Sequence, residues 1–144
     1  MSTLGTALSV AAQAHDGQVD KAGAPYIFHP MRMVLKAKTD DERIVAALHD
    51  VLEDTEVDIG ELFDCGFADH ILRAVNALTR KDGETYDAFI ERVALNPLAR
   101  AVKILDLQDN MDLSRLPKIT DADVRRNQKY RRALDLLVTK EAQQ

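Results

Sequence analysis

An all-α fold follows from three features of the sequence. Glycine and proline are scarce, six and four in 144 residues, while alanine is the commonest type and leucine is, with aspartate, next, a composition whose alanine and leucine favour helices. Ser, Thr and Asp suited to helix N-caps recur ahead of apolar runs with helical spacing. No segment alternates apolar and polar side chains as a strand does, and neither an internal repeat nor a low-complexity stretch interrupts the pattern. Together these predict one domain over residues 1–144, a bundle of seven to eight helices.

Each element has its own punctuation. Ser2 or Thr3 caps a first helix ending near His15, and a loop over 16–26 holds Gly17, Gly23 and Pro25. Pro30 suits the first turn of a second helix to about Lys38. Asp40 or Asp41 opens a third, to about Asp54. Asp58 caps a short fourth, which Gly66 closes, and a fifth runs from about Ala68 to Leu78. A turn at 81–83 leads to a sixth ending before Pro97, which itself starts a seventh through about Met111. Pro117 breaks the chain, and Thr120 or Asp121 caps a last helix to about Lys140.

Charge and cysteine usage exclude several function classes. The net charge is −5 without a long basic run, which argues against a nucleic-acid polymer, because backbone affinity needs clustered Lys and Arg. Small anionic ligands need only two or three local cations. Cys65 is the single cysteine, so an internal bridge and a thiolate metal cluster are excluded, as suits a reducing compartment. No apolar run reaches the roughly 18–20 residues that span a bilayer, and the apolar stretch over 4–14 has no preceding Lys or Arg. A cytoplasmic protein is expected, of unspecified oligomeric state.

Two helices carry unusual chemistry. On the third, Ile44, Val45, Leu48, Val51 and Leu52 fill one arc, and Glu42, His49, Asp50, Glu53 and Asp54 face the other way. A solvated polar face accounts for that pattern; so does a hydrolytic centre. The seventh helix is apolar around its whole circumference, so it should be buried, yet it contains Asp106. A buried carboxylate costs several kcal/mol unless compensated. Lys103, one turn earlier, offers an ion pair; a divalent metal shared with His49 and Asp50 is the competing account. Lys103 and Asn110 project from the same side as Asp106. His29 precedes Pro30, which holds its backbone extended at a helix entrance. Two imidazoles and two carboxylates suit Mn²⁺, Fe²⁺ or Zn²⁺ better than Ca²⁺.

Four ordered blocks carry a family resemblance. Ala14-His15-Asp16-Gly17-Gln18, then Lys21 to Pro30 (KAGAPYIFHP), Leu48 to Thr55 (LHDVLEDT), and Lys103-Ile104-Leu105-Asp106 with Asp109-Asn110-Met111 resemble the hydrolase domain of RelA/SpoT-type enzymes of the HD superfamily, in its stand-alone small-alarmone-hydrolase form. The resemblance spans about residues 11–113. It implies an HD-domain helical bundle and a Mn²⁺-dependent 3′-pyrophosphohydrolase acting on a nucleotide alarmone, (p)ppGpp or (p)ppApp. It implies His29, His49, Asp50 and Asp106 as metal ligands, and Glu53 and Asp54 as the pair that activates or positions water. Lys21 falls near the phosphates and Asn110 near the ribose, with Lys103 a further cation for the diphosphate.

Four positions depart from the family pattern. Asp20 stands where such enzymes commonly carry an Arg that stacks on guanine; a carboxylate cannot make that contact, but it can accept hydrogen bonds from a base. Leu107 and Asp109 replace an Arg and a His, and Leu113 replaces a phosphate-side Thr. The alternatives are an HD-type phosphatase of another nucleotide, such as a nucleoside monophosphate or NADPH, and a non-catalytic alarmone-binding module. On this reading, Asp106→Asn abolishes metal retention at little cost to the metal-free fold.

Overall fold

The computed structural model describes residues 1–143. Its helices are α1 (Leu4–Ala14), α2 (Phe28–Lys36), α3 (Asp40–Leu48), α4 (Val51–Asp54), α5 (Ile59–Asp64), α6 (Asp69–Ala77), α7 (Tyr86–Ala94), α8 (Pro97–Asn110) and α9 (Asp121–Ala142), with a 3₁₀ turn at Leu113–Arg115 before α9. Extended pairing among the described residues is limited to one isolated bridge, Val19 to Pro25. No helix among them is long and apolar enough to cross a membrane.

Side chains close the helix N-termini much as the sequence predicts. Thr3, Thr85 and Asn96 accept from backbone N–H groups of the first turn, and Thr39, Asp58 and Thr120 form reciprocal capping boxes with Glu42, Glu61 and Asp123. Each such cap satisfies donors that the helix itself leaves orphaned, at about 1 kcal/mol apiece. Asp40 is therefore the first helical residue of α3, and Thr39 is its cap.

At the centre lies α3, which contributes five consecutive buried residues, Ile44 to Leu48. It packs against α1, α2, α6 and α8. Small residues let these axes approach: Ala7 and Ala11 of α1, Ala46 and Ala47 of α3 and Ala99 of α8 are fully buried. Long α9 lies across α7 and α8 and anchors through Ala133 and Leu137.

Two local expectations need correction. The third predicted helix is not continuous to Asp54: α3 ends at Leu48, the chain turns at His49 and Asp50, and α4 resumes at Val51, giving nine α-helices among the described residues. Nor is its polar side solvated throughout: Glu53 and Asp54 are exposed, but His49 is only 2 % exposed. Neighbouring helices cover both sides of the chain from Ile44 to His49, which a one-dimensional pattern cannot register. His29, expected to be extended, is helical, and α2 starts at Phe28. Pro30 falls on the third helical residue, where a missing N–H breaks no intrahelical bond.

The connection between α6 and α7 is tied by one arginine. Arg92 donates to both carboxylate oxygens of Glu84 at 2.8 and 3.0 Å and to the carbonyls of Ala77 and Thr79 at 3.1 and 2.9 Å. Hydrogen bonding from Arg92 holds the Glu84 carboxyl down to about 2, from an ordinary 4.5. A depressed folded-state pKa stabilises fully above 4.5 and is lost as pH falls toward 2. Denaturant unfolding should therefore show Glu84→Gln less stable than wild type at pH 7, with the gap narrowing through that window. A gap independent of pH would remove the charge from the account.

Candidate metal centre and adjoining cavity

Three segments deliver four groups to one point. The first turn of α2 supplies His29, the turn after α3 supplies His49 and Asp50, and the buried face of α8 supplies Asp106. His29 Nε2 lies 3.2 Å from His49 Nε2 and 2.9 Å from Asp106 Oδ1. Asp50 Oδ2 lies 3.0 Å from His49 Nε2 and 3.9 Å from His29 Nε2. Donor atoms of His29, His49 and Asp50 all fall within 4.8 Å of one another, and Asp106 joins them through both imidazoles, at 3.5 Å from His49 Nε2.

Tautomer chemistry decides what this cluster lacks. His49 Nδ1 donates to the Ala46 carbonyl at 2.7 Å and His29 Nδ1 to the Asp109 carboxylate at 2.6 Å. Neither partner can donate, so both Nδ1 atoms carry hydrogen and both neutral rings turn Nε2 lone pairs inward. With both rings neutral, two nitrogens and two carboxylate oxygens thus meet lone pair to lone pair, an arrangement that a bound cation or added protons would relieve. The His29–His49 and His49–Asp50 separations, 3.2 and 3.0 Å, fit the roughly 3.0–3.4 Å expected between adjacent donors about 2.1 Å from one shared ion, while the other pairs run from 2.9 to 3.9 Å. Without such an ion the cluster recruits protons: burial disfavours the charge on His49, but Asp50 and Asp106 outweigh it and raise the pKa well above its ordinary value.

A surrounding layer holds the ligand groups in place. The Tyr26 hydroxyl donates to Asp50 Oδ2; burial and the neighbouring Asp50 push its pKa up, so it remains a donor. Asp109 is 3 % exposed. Besides His29, it accepts from Arg32 Nε and Nη2 at 2.8 and 2.9 Å and, more weakly, from Arg115 at 3.5 Å. Burial alone would raise the Asp109 pKa, but His29 and Arg32 hold it far below the carboxylate range. A carboxylate that fixes a ligand histidine is a recurrent feature of metal sites. Sequence reading noted Asp109 only as a departure and passed over Tyr26 and Arg32; the available signal was the position of Asp109 in the same buried helix, beside the Asp106 face.

The ion pair with Lys103 occupies only one of the two Asp106 oxygens. Lys103 Nζ lies 2.6 Å from Asp106 Oδ2, while Asn110 Nδ2 donates to Oδ1 at 3.0 Å. The two carboxylate oxygens of Asp106 are thereby divided between ammonium and centre.

Glu53 and Asp54 are the exposed residues of α4, just beyond Asp50. Glu53 Oε1 accepts from the Arg80 backbone N–H at 3.1 Å. Burial first, and then the negative charge of Asp50, raise both acids above their ordinary values. Next to the centre opens a cavity of about 310 Å³, whose lining includes His29, Asp20, Lys21, Asn110, Arg126 and Tyr130. Asp20 Oδ1 accepts from the N–H groups of Ala22 and Ala24 at 2.9 and 3.0 Å, shaping the turn in which Gly23 adopts a left-handed φ of 85°. Lys21 is exposed at the rim. Buried His15 bonds Gln18 at 2.9 Å and packs 4.9 Å from the Tyr26 ring, which supports the loop after α1.

A helical bundle that gathers a His-Asp pair, a second histidine and a distant aspartate around one point defines an HD-type domain. No protein-family model matches the chain. It is 32 % identical over 117 residues to the guanosine-3′,5′-bis(diphosphate) 3′-pyrophosphohydrolase of Aquifex aeolicus, covering 73 % of this chain and 17 % of that protein. It is 32 % identical over 124 residues to a probable GTP pyrophosphokinase of Mycobacterium leprae, covering 77 % and 16 %. The chain thus matches about a sixth of these curated relatives. A solved structure described as a metazoan orthologue of SpoT that hydrolyses ppGpp superposes with a TM-score of 0.75, at 18 % identity, over 99 % of this chain and 93 % of that one. The chain belongs to the HD-type hydrolase domains of the RelA/SpoT family.

Proposed function

We propose that this domain is a metal-dependent pyrophosphohydrolase that removes the 3′-diphosphate from a nucleotide alarmone, (p)ppGpp or (p)ppApp, and releases pyrophosphate. The observation that carries the reading is the lone-pair cluster of His29, His49, Asp50 and Asp106 beside a cavity with cationic side chains in its lining. Those four residues would hold one Mn²⁺, with Fe²⁺ or Zn²⁺ as chemically similar occupants. Such an ion supplies Lewis-acid polarisation of a phosphate oxygen and lowers the pKa of a bound water.

The protein's own groups do the rest. Glu53, its pKa raised above the ordinary value by burial and by Asp50, accepts the proton of the attacking water, and Asp54 orients that water. The water oxygen bonds to the phosphorus attached to the nucleoside 3′ oxygen, the P–O3′ bond breaks, and the departing 3′ oxygen takes a proton from solvent to become a hydroxyl. Lys103 and Lys21 neutralise the diphosphate as point charges. Asn110 lies on the ribose side, and Asp20, with Oδ1 engaged in its turn, offers Oδ2 to amino or imino groups of the base. An acceptor there suits adenine as well as guanine, which brings (p)ppApp into the substrate class.

Chromatography of reactions with ppGpp and with pppApp, each with Mn²⁺, tests the reading. Pyrophosphate release from either supports it. Release of orthophosphate, from these or from nucleoside monophosphates or NADPH, favours an HD-type phosphatase, and binding without product favours a non-catalytic module. Glu53→Ala should retain the metal and lose about 100-fold in kcat, the usual scale of acid–base assistance; undiminished turnover removes Glu53 from the chemistry.

A further inference from the structure

Beyond Lys103, on the side away from the lone-pair cluster, a second group of cations gathers around two aromatic rings. Lys129 Nζ of α9 lies 4.4 Å from the centroid of the Tyr86 ring and 5.6 Å from that of Tyr130. The Arg80 guanidinium approaches the same Tyr86 ring at 6.0 Å. Tyr86 in turn packs at 6.3 Å against Phe89, whose ring carries Lys103 Nζ at 5.3 Å. Three helices and the loop after α6 thus bring Arg80, Lys103 and Lys129 onto one pair of rings.

What is missing is negative charge. Neither Lys129 nor Arg80 has a carboxylate within 4 Å among the described residues, although the chain carries 24 acids against 19 bases. Arg80 Nε is spent on the Glu84 carbonyl at 2.9 Å, which positions the guanidinium without neutralising it. Burial, and then the fields of Arg80, Arg126 and Lys103, lower the Lys129 pKa, the mark of mutual repulsion. In the middle of this group the buried Tyr86 hydroxyl has no hydrogen-bond partner. A buried donor left unpaired costs about 1–3 kcal/mol, so its position calls for an acceptor.

We propose that Lys129, Arg80 and the Tyr86 hydroxyl form an anion subsite for a phosphoryl group, continuous through Lys103 with the lone-pair centre. Resting on the function proposed above, its occupant is the distal phosphate of the 3′-diphosphate, which becomes one end of the released pyrophosphate. The Lys129 ammonium and the Arg80 guanidinium match the roughly two negative charges of that group, and the phenol supplies the directed donor that cations lack.

Inorganic pyrophosphate is the direct probe, titrated calorimetrically into the full chain in EDTA so that neither metal nor turnover contributes. Wild type is expected to bind it, Lys129→Met to bind at least tenfold more weakly, and the isosteric Tyr86→Phe several-fold more weakly, with Lys129→Arg restoring most of the loss. Lys140→Gln, on an exposed part of α9, should match wild type. No binding by wild type, or equal affinity in folded Lys129→Met and Tyr86→Phe, overturns the subsite. Equal losses in Lys140→Gln overturn it too, because they reduce the effect to overall charge. Failure of hydrolysis with pyrophosphate binding intact would instead count against the function proposed above alone.

Discussion

Asp106→Asn is expected to lose the bound metal, to abolish turnover and to destabilise even the metal-free protein by about 3 kcal/mol, the lower end for breaking a buried ion pair. Metal and activity depend on the Oδ1 atom that faces both imidazoles at 2.9 and 3.5 Å; a neutral amide is a far poorer ligand for a hard divalent ion. The stability cost arises at the other oxygen. Lys103 Nζ sits 2.6 Å from Asp106 Oδ2, and the two side chains are only 13 % and 6 % exposed. Asparagine leaves that ammonium without its counter-charge. Sequence reasoning expected little cost, because it set the ion pair and the metal ligand against each other, whereas the Asp106 carboxylate turns Oδ2 to Lys103 and Oδ1 to both imidazoles. Metal content per chain and urea unfolding in EDTA check the two parts separately. A variant that keeps one ion per chain and full activity would refute the ligand assignment; an unchanged unfolding midpoint would refute the dual role.

Asp109→Asn comes next in expected size. Its carboxylate accepts from His29 Nδ1 and twice from Arg32. An amide offers one acceptor oxygen and sets its NH₂ against these donors, leaving at least one of them unsatisfied in a buried place. That arrangement should cost about 2–4 kcal/mol. It also frees the His29 ring to rotate or change tautomer, so metal affinity should fall about 10- to 100-fold, the usual effect of removing a partner that orients a ligand. Arg32→Ala gives the contrast, because it weakens the clamp yet leaves the His29–Asp109 hydrogen bond. It should reduce stability with a smaller loss of metal affinity. Equal metal affinity in wild type and Asp109→Asn would show that His29 is oriented by packing alone.

Much of the site was legible in the chain because its chemistry is spaced by helices. Asp106 announced itself as a carboxylate in a helix apolar all round, and Lys103 and Asn110 followed from one-turn spacing. The boundaries of most helices came from caps and prolines whose effects are local. The turn at His49 and Asp50 did not, since helical periodicity continues through LHDVLED and only burial by α2 and α8 makes the break visible. Asp109 stood out as a departure from a family pattern, yet its function depends on Arg32 and His29, more than 70 residues earlier in the chain. The cations at Arg80 and Lys129 were equally opaque, because each taken alone is an ordinary surface charge.

By itself, then, the sequence determined the helices, the composition that makes them pack, and the identities of the groups able to bind a metal and move a proton. Those properties are set by neighbours three or four positions apart. Tertiary structure decided which lone pairs face one another, which carboxylate steadies His29, and which cations share a ring without a counter-charge. Such pairings join residues far apart along the chain, and their energies depend on desolvation and distance, quantities that exist only once the helices have packed.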